Sequence, residues 1–199
     1  MFNFTTRVRK ALLAAAFLIG SGGAMAGPNY LVTIHTQAAS GESGLVDFTM
    51  GSTGDAPRAT AHLWNFSGTF GAEFDRAGGI AGDLASGVYI DNSGPTNYLT
   101  QSAVFGGDLS FFLSFSGDYE MIESDWNNVF GVVLYDSFLG EQSYIAAQFD
   151  VLSAYQGLPG TVLAQADVDT DILEVPEPSQ LLLMLSALAL AGFVLRRKA

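Results

Sequence analysis

The sequence predicts an all-β domain, an antiparallel β-sandwich of jelly-roll type, with a short apolar segment at each end of the chain. Short β-rich runs are separated by Gly, Asn, Asp and Ser about every 8–12 residues, which is typical of sandwiches and barrels. No central stretch keeps the apolar period of about 3.6 residues that an amphipathic helix needs. The chain of 199 residues has no cysteine, so packing and strand pairing must stabilise it without disulfides.

Residues 1–26 have the three parts of a secretory signal peptide. A cluster of cations precedes the apolar run 11–20, and Ala24-Met25-Ala26 fits the small-x-small cleavage rule. We therefore predict cleavage after Ala26, so that the exported chain starts at Gly27. Adjacent arginines are absent from residues 1–26, which favours the general secretory machinery over the twin-arginine route.

The domain predicted over residues 27–173 contains about ten short strands. Alternation along one strand directs Phe111, Leu113 and Phe115 into the core and leaves Phe112 to cover a loop edge. The predicted strands are 30–36, 45–50, 59–66, 68–74, 88–91, 98–105, 108–116, 129–135, 144–152 and 161–173.

Charge is segregated along the chain. Six of the eight basic residues lie in the two end segments, and residues 27–177 hold only Arg58 and Arg76 against all 20 acidic residues. The net charge of this segment is therefore −18. Such a surface repels nucleic acid and anionic lipid headgroups, so we expect no nucleic-acid partner. The lack of cysteine excludes thiol nucleophiles and Cys-ligated metal centres.

The C-terminal segment 181–199 combines an apolar run with a basic end. Residues 181–195 are uncharged, and Arg196, Arg197 and Lys198 follow at once, as the positive-inside rule expects on the cytoplasmic side of a membrane. A helix of this length reaches roughly 23 Å, less than the roughly 30 Å of a hydrocarbon core. A buried C-terminal helix is the alternative, but this run offers no polar face. We therefore predict a single transmembrane helix with a basic tail.

Pro176, Glu177 and Pro178 stand just before the apolar run, in an exposed linker predicted over residues 174–180. The prolines keep this stretch extended. The order of Pro-Glu-Pro, short apolar helix and basic cluster resembles the PEP-CTERM sorting signal of Gram-negative bacteria. The resemblance implies transient anchoring in the inner membrane, recognition by an exosortase, and processing near the prolines that releases the protein or attaches it at the cell surface. A GPI signal is the rival interpretation, but such tails end without a basic cluster.

The central domain resembles a recurring type of small PEP-CTERM cargo protein of unassigned activity. Three motifs carry this resemblance: Tyr-x-Val-x-Ile-x-Thr at residues 30–36, Gly-Leu-x-Asp-Phe at 44–48, and Asn-Phe-Ser-Gly at 65–68. They cover about the first third of the domain. They imply a β-rich exported domain and no particular reaction.

The sharpest local pattern in the domain is Asp167-Val-Asp-Thr-Asp171. If these residues lie in one strand, the carboxylates of Asp167, Asp169 and Asp171 share one face, and carboxylate oxygens are ligands that calcium prefers. The pattern lacks the Gly and Glu of an EF-hand loop. A charged edge strand that discourages aggregation is the alternative. Calcium is the only cofactor that the sequence suggests.

Other candidate residues have ordinary structural interpretations. His35 and His62 lie in predicted strands, where a structural role is commoner than a catalytic or metal-binding one. The stretch 40–44 falls short of a nucleophile elbow, and the acidic residues within 118–125 read as a solvated loop. Three aromatic side chains are candidates for stacking on sugars: Trp64, Tyr119 and Trp126.

These observations together predict a non-enzymatic protein of the cell surface or extracellular matrix, associated with exopolysaccharide or biofilm. Two alternatives stay open. One is a secreted carbohydrate-binding module that uses exposed aromatic rings. The other is a secreted hydrolase that uses a pair of acids from residues 118–125, and its geometry cannot be read from sequence.

Overall fold

The computed structural model describes residues 28–136, 143–167 and 169–176, and this part of the chain is all-β. Its twelve strands form two six-stranded antiparallel sheets. The same residues contain no α-helix and two short 3-10 turns, Gln37–Ala39 and Asp118–Glu120. The predicted all-β class with two antiparallel sheets is confirmed.

The predicted signal peptide (1–26) and the predicted transmembrane helix (181–199) lie outside the described residues. Within the described ranges, the structure has no helix of the length and apolarity that a membrane span requires.

Alternating burial shows why these segments are strands. In the first strand Tyr30, Val32 and Ile34 are buried, and the residues between them are half-buried, as expected where one sheet face meets a core. The strands are β1 (Asn29–His35), β2 (Ser43–Ser52), β3 (Ala59–Ser67), β4 (Phe70–Ala77), β5 (Ile80–Asp83), β6 (Gly87–Asp91), β7 (Asn97–Val104), β8 (Asp108–Gly117), β9 (Asn128–Asp136), β10 (Ser143–Leu152), β11 (Thr161–Ala166) and β12 (Thr170–Val175).

The strand order follows a rolled-up hairpin. Sheet A runs β12-β1-β8-β3-β6-β5, and sheet B runs β11-β10-β9-β2-β7-β4. Strands β1 and β8, β2 and β7, and β3 and β6 pair in nested order, and these pairs alternate between the sheets, as in a jelly roll. Strands β9, β10 and β11 widen sheet B, and β12 widens sheet A.

The core between the sheets is rich in phenylalanine. Phe111, Leu113 and Phe115 are buried as predicted. Phe111 makes an edge-to-face contact with Phe48 of sheet B, with ring centroids 5.3 Å apart. Aromatic pairs favour this geometry. The prediction that Phe112 covers a loop edge is wrong, because the register of β8 sets it opposite Trp64 on the outer face of sheet A.

Two strand predictions need correction. Strand β5 was not predicted, because Ile80-Ala-Gly-Asp83 carries few β-branched or aromatic residues. The single strand predicted over 161–173 is wrong, since the chain leaves sheet B after β11 and enters sheet A as β12. Two backbone hydrogen bonds hold this corner between β11 and β12. Thr170 N–H donates to Asp167 O at 3.0 Å, and His35 N–H donates to Asp169 O at 2.8 Å.

The described chain begins and ends at one end of the sandwich. Asn29 pairs in register with Val175, and loops 117–128 and 152–161 lie at the same end. We call this the termini end. Loop 36–42 lies at the opposite end, together with the β11–β12 corner.

Candidate functional site

The Pro-Glu-Pro segment leaves the domain directly from an edge strand. Strand β12 extends to Val175, two residues beyond the predicted domain boundary, so the predicted linker starts inside the sheet. Glu174 pairs with Tyr30, and Pro176 is the last described residue and is exposed. The remaining motif and targeting residues lie outside the described part of the chain: Glu177, Pro178, Arg196, Arg197, Lys198, Ala24, Ala26 and Gly27.

The three aspartates of the predicted calcium site do not share a strand face. Asp167 follows β11, Asp169 lies in the corner, and only Asp171 belongs to a strand. Within the described ranges, no group of three His, Cys, Asp or Glu side chains could hold a metal ion. The shared strand face on which the calcium prediction depended is therefore wrong.

One of these aspartates, Asp171, instead forms a hydrogen bond with His35. The Nδ1 of His35 lies 2.8 Å from Asp108 Oδ1, and its Nε2 lies 3.1 Å from Asp171 Oδ2. Gln37 Nε2 also donates to Asp108 at 2.7 Å. The hydrogen bonds that both carboxylates accept from the ring raise the pKa of His35, and the bond that Asp108 accepts from His35 lowers the pKa of Asp108. This exposed network ties β12, β1 and β8 together across the edge of sheet A.

A cavity of about 350 Å³ opens between the sheets beside His35. Phe105, Leu134 and Tyr144 give it an apolar lining, and Glu42 and Asp169 lie at its border. The pKa of Tyr144 is raised by burial and by nearby aspartates. The cavity is large enough for a small ligand with an apolar body, and its acidic border disfavours anions.

Four rings form a continuous stack on the outer face of sheet A. The ring of His62 lies 4.2 Å from that of Tyr89 and 4.7 Å from that of Trp64, and Trp64 lies 5.6 Å from Phe112. The interplanar angles of these contacts are 1°, 22° and 20°. We call this set, Tyr89, His62, Trp64 and Phe112, the aromatic row.

Strand register explains the row. His62 is paired with Tyr89 of β6, and Trp64 with Phe112 of β8, so neighbouring strands bring the rings within contact distance. Burial lowers the pKa of His62, which favours the neutral ring at neutral pH. Trp64 was predicted as a sugar contact. Tyr89 and Phe112 were missed, since only the register reveals them as its partners.

The remaining residues that the sequence singled out as candidates differ in how exposed they are. Tyr119 lies in the core and is 1% exposed, so it is not available to a sugar. Trp126 is half exposed at the termini end. The acids within 118–125 occupy the loop between β8 and β9, where Glu123 accepts a hydrogen bond from Gly157 N–H at 2.7 Å. In the stretch 40–44, the chain turns at residues 40 and 41 and enters β2 at Ser43.

Comparison with known families identifies the end of the chain. Residues 174–198 match the PEP-CTERM protein-sorting motif. The chain carries a PEP-CTERM sorting signal. No curated protein and no solved structure shows a significant match to the chain.

The PEP-CTERM motif makes this an exported bacterial protein that is sorted to the cell surface, with an exosortase as its processing partner. The matched region begins at Glu174, inside β12. The sorting signal of this PEP-CTERM protein is thus continuous with sheet A, and the exposed Pro176 follows directly after the last paired residue.

Proposed function

We propose that this PEP-CTERM protein is a non-enzymatic component of the cell surface or extracellular matrix that binds polysaccharide through its aromatic row. The observation that carries the proposal is a stack of four rings on the solvent side of a sheet, in a protein sorted to the surface. Rings that only fill a core would lie between the two sheets, whereas these four rings lie on the outer face of sheet A. Tyr89, at one end of the row, is 46% exposed and stacks on His62 on one side only among the rings of the row.

The chemistry of the row suits neutral sugars. The C–H faces of a pyranose pack on exposed aromatic rings, and the Tyr hydroxyl and the Trp N–H supply hydrogen-bonding groups at the ring edges. Ser110 and Ser114 flank Phe112 on the same face of β8. The net charge of the domain disfavours acidic polysaccharides. We therefore expect neutral or cationic polysaccharide as the ligand, in keeping with an association with exopolysaccharide or biofilm.

The route to the surface is part of the proposal. The signal peptide is removed after Ala26, the apolar segment 181–195 anchors the chain transiently in the inner membrane of a Gram-negative cell, and an exosortase then processes it near Pro176 and Pro178. Mass spectrometry of the surface form is expected to find Gly27 at the N-terminus and no peptide beyond Ser179. Recovery of intact residues 196–199 from that form would contradict the processing step.

Sugar binding is tested with Tyr89→Ala and a control on another face. Insoluble neutral polysaccharide should deplete the native protein from solution. Tyr89→Ala should bind the polysaccharide roughly 3- to 10-fold more weakly, which is the contribution expected of one ring contact. Phe74→Ala is the matched control, because Phe74 is 69% exposed on β4 of the other sheet. Its binding should equal that of the native protein. Equal binding by all three proteins would contradict the proposed site.

The same samples separate a binding protein from the hydrolase alternative. A non-enzymatic protein leaves the polysaccharide at its original chain length. Release of oligosaccharides that stops when Glu120 or Glu123 is changed to Gln would instead favour an acid-pair hydrolase.

A further inference from the structure

The termini end exposes a second apolar surface, separate from the aromatic row. Met121 is 76% exposed and Leu158 is 70% exposed, and three further large apolar side chains on the same two loops are at least half exposed. We call the full set the apolar rim: Met121, Ile122, Trp126, Tyr155 and Leu158.

The apolar rim is held on a rigid base. Ser124 N–H donates to Ala154 O at 3.0 Å, and Ala154 N–H donates to Tyr119 O at 2.8 Å, so the two loops are bonded to each other. The ring of Trp126 lies directly over Gly54, where a Cβ would overlap it. The rim residues are therefore displayed by an ordered backbone, although at least half of the surface of each is exposed.

The chain leaves the domain at the end of the sandwich that carries the rim. Val175 pairs with Asn29, and Asn29 pairs with Ser114 near the end of β8. Strand β8 then runs into the loop that carries Met121 and Trp126. The exit of the tail and the apolar rim thus lie at the same end of the sandwich.

The tether between the domain and the apolar segment is short. Five peptide units separate Pro176 from Leu181, and a fully extended chain spans at most about 18 Å over that number. While residues 181–195 are inserted in a membrane, the termini end must stay within this distance of the point of insertion. The apolar rim, which lies at the same end of the sandwich, is then kept near the membrane surface.

We propose that the apolar rim inserts into the headgroup region of the bilayer that holds the tail, and so orients the domain for processing. This inference rests on the proposed membrane insertion of residues 181–195. Trp and Tyr with aliphatic side chains are the residues that favour a bilayer interface. Four acids within 118–125 border the rim, so the surface suits zwitterionic lipid and is repelled by anionic lipid.

The two tryptophans of the chain provide the test. Full-length protein is reconstituted in phosphatidylcholine vesicles that contain spin-labelled lipid, which quenches nearby tryptophan fluorescence. Trp64→Phe leaves Trp126 at the rim, and Trp126→Phe leaves Trp64 in the aromatic row. We expect a loss of fluorescence from Trp126 and little loss from Trp64. In the Trp64→Phe background, Leu158→Ser should weaken the quenching of Trp126, whereas the equally exposed Phe74→Ser should not.

Lipid charge and extraction complete the test. Replacing part of the phosphatidylcholine by phosphatidylserine should reduce the quenching of Trp126. Equal quenching of the two tryptophans, in protein that resists alkaline carbonate extraction, would overturn this inference and leave the anchoring intact. Protein that carbonate removes would overturn both, because the tail would not be inserted. Shielding of Trp126 by dimer formation without lipid quenching would also overturn it, in favour of a second copy as the occupant.

Discussion

At the scale of single residues, the two histidines occupy opposite environments. Two carboxylates raise the pKa of His35 above its ordinary value of 6.5, whereas burial between rings lowers the pKa of His62 below that value. In an NMR titration, we expect His62 to lose its proton at a lower pH than His35. Asp108→Asn should move the His35 midpoint downwards and leave His62 unchanged.

The raised pKa of His35 also fixes the sign of a stability effect. A group whose folded-state pKa is raised stabilises the fold fully below its unfolded pKa, near 6.5, and loses that contribution as the pH rises through the folded-state value. His35→Gln should therefore cost more stability at pH 5.5 than at pH 8. The network is exposed, so solvent screening keeps the difference small. A cost that is larger at pH 8 would contradict the ion-pair interpretation.

Two glycines of β2 are expected to respond oppositely to alanine. A Cβ on Gly44 would overlap the ring of Phe105 and the carbonyl of Tyr135, whereas a Cβ on Gly51 would meet nothing within 4 Å. We expect Gly44→Ala to lower the free energy of unfolding by about 1–3 kcal/mol. Gly51→Ala should be neutral or stabilise by up to about 1 kcal/mol. Urea unfolding measures both, and a similar effect of the two changes would argue against tight packing at Gly44.

At the scale of elements, β12 is both a structural strand and the start of the tether. It pairs with β1 on one side only, whereas β8 pairs with β1 and β3. Edge strands open locally at a lower free energy than central ones. We expect the amides of β12 to exchange with deuterium sooner than those of β8, with the other edge strand of sheet A, β5, as the control. Equal protection of β12 and β8 would contradict this.

Opening of β12 would have a functional consequence. Each residue released from the edge adds about 3.3–3.6 Å of reach to the tether. Release of a few residues from Val175 backwards would therefore give a protease more access to Pro176 and the residues that follow. The edge position of β12 thus allows processing without unfolding of sheet A.

At the scale of the whole molecule, net negative charge works against compactness. Arg58 lies 3.1 Å from Asp91, and Arg76 pairs with Glu73, but these two arginines, the only basic Lys or Arg residues of 27–177, cannot offset the 20 acids of that segment. Salt should relieve this repulsion over a Debye length of about 10 Å at 0.1 M. If it restores about 1 kcal/mol, the melting temperature rises by about 2–4 °C. A melting temperature that falls with sodium chloride would contradict this account.

Calcium provides the matching control for the same measurement. Because Asp171 is engaged with His35 and the aspartates do not share a strand, we expect no saturable rise beyond that of sodium chloride at equal ionic strength. Asp169→Asn should behave like the native protein in both salts. A saturable calcium effect that this change removes would restore the calcium site.

The sequence predicted the fold class because alternation is a local property. One face of β1 or β8 meets a core, and the periodic apolar residues reveal it without knowledge of the partner strand. The sorting signal was equally accessible, since its three parts follow one another along the chain and a family comparison recovers them at residues 174–198. Strand β5 escaped prediction because its side chains are mostly exposed and carry little pattern.

Sequence alone therefore determined the class of the domain, its charge and the sorting motif. Only the tertiary structure decided which residues meet: that His35 takes Asp171 from the predicted calcium ladder, that Tyr89 and Phe112 extend Trp64 into a row, and that the apolar rim adjoins the exit of the tail. These contacts depend on strand register and on the change of sheet after β11. Long-range pairing sets both, and no local stretch of sequence encodes it.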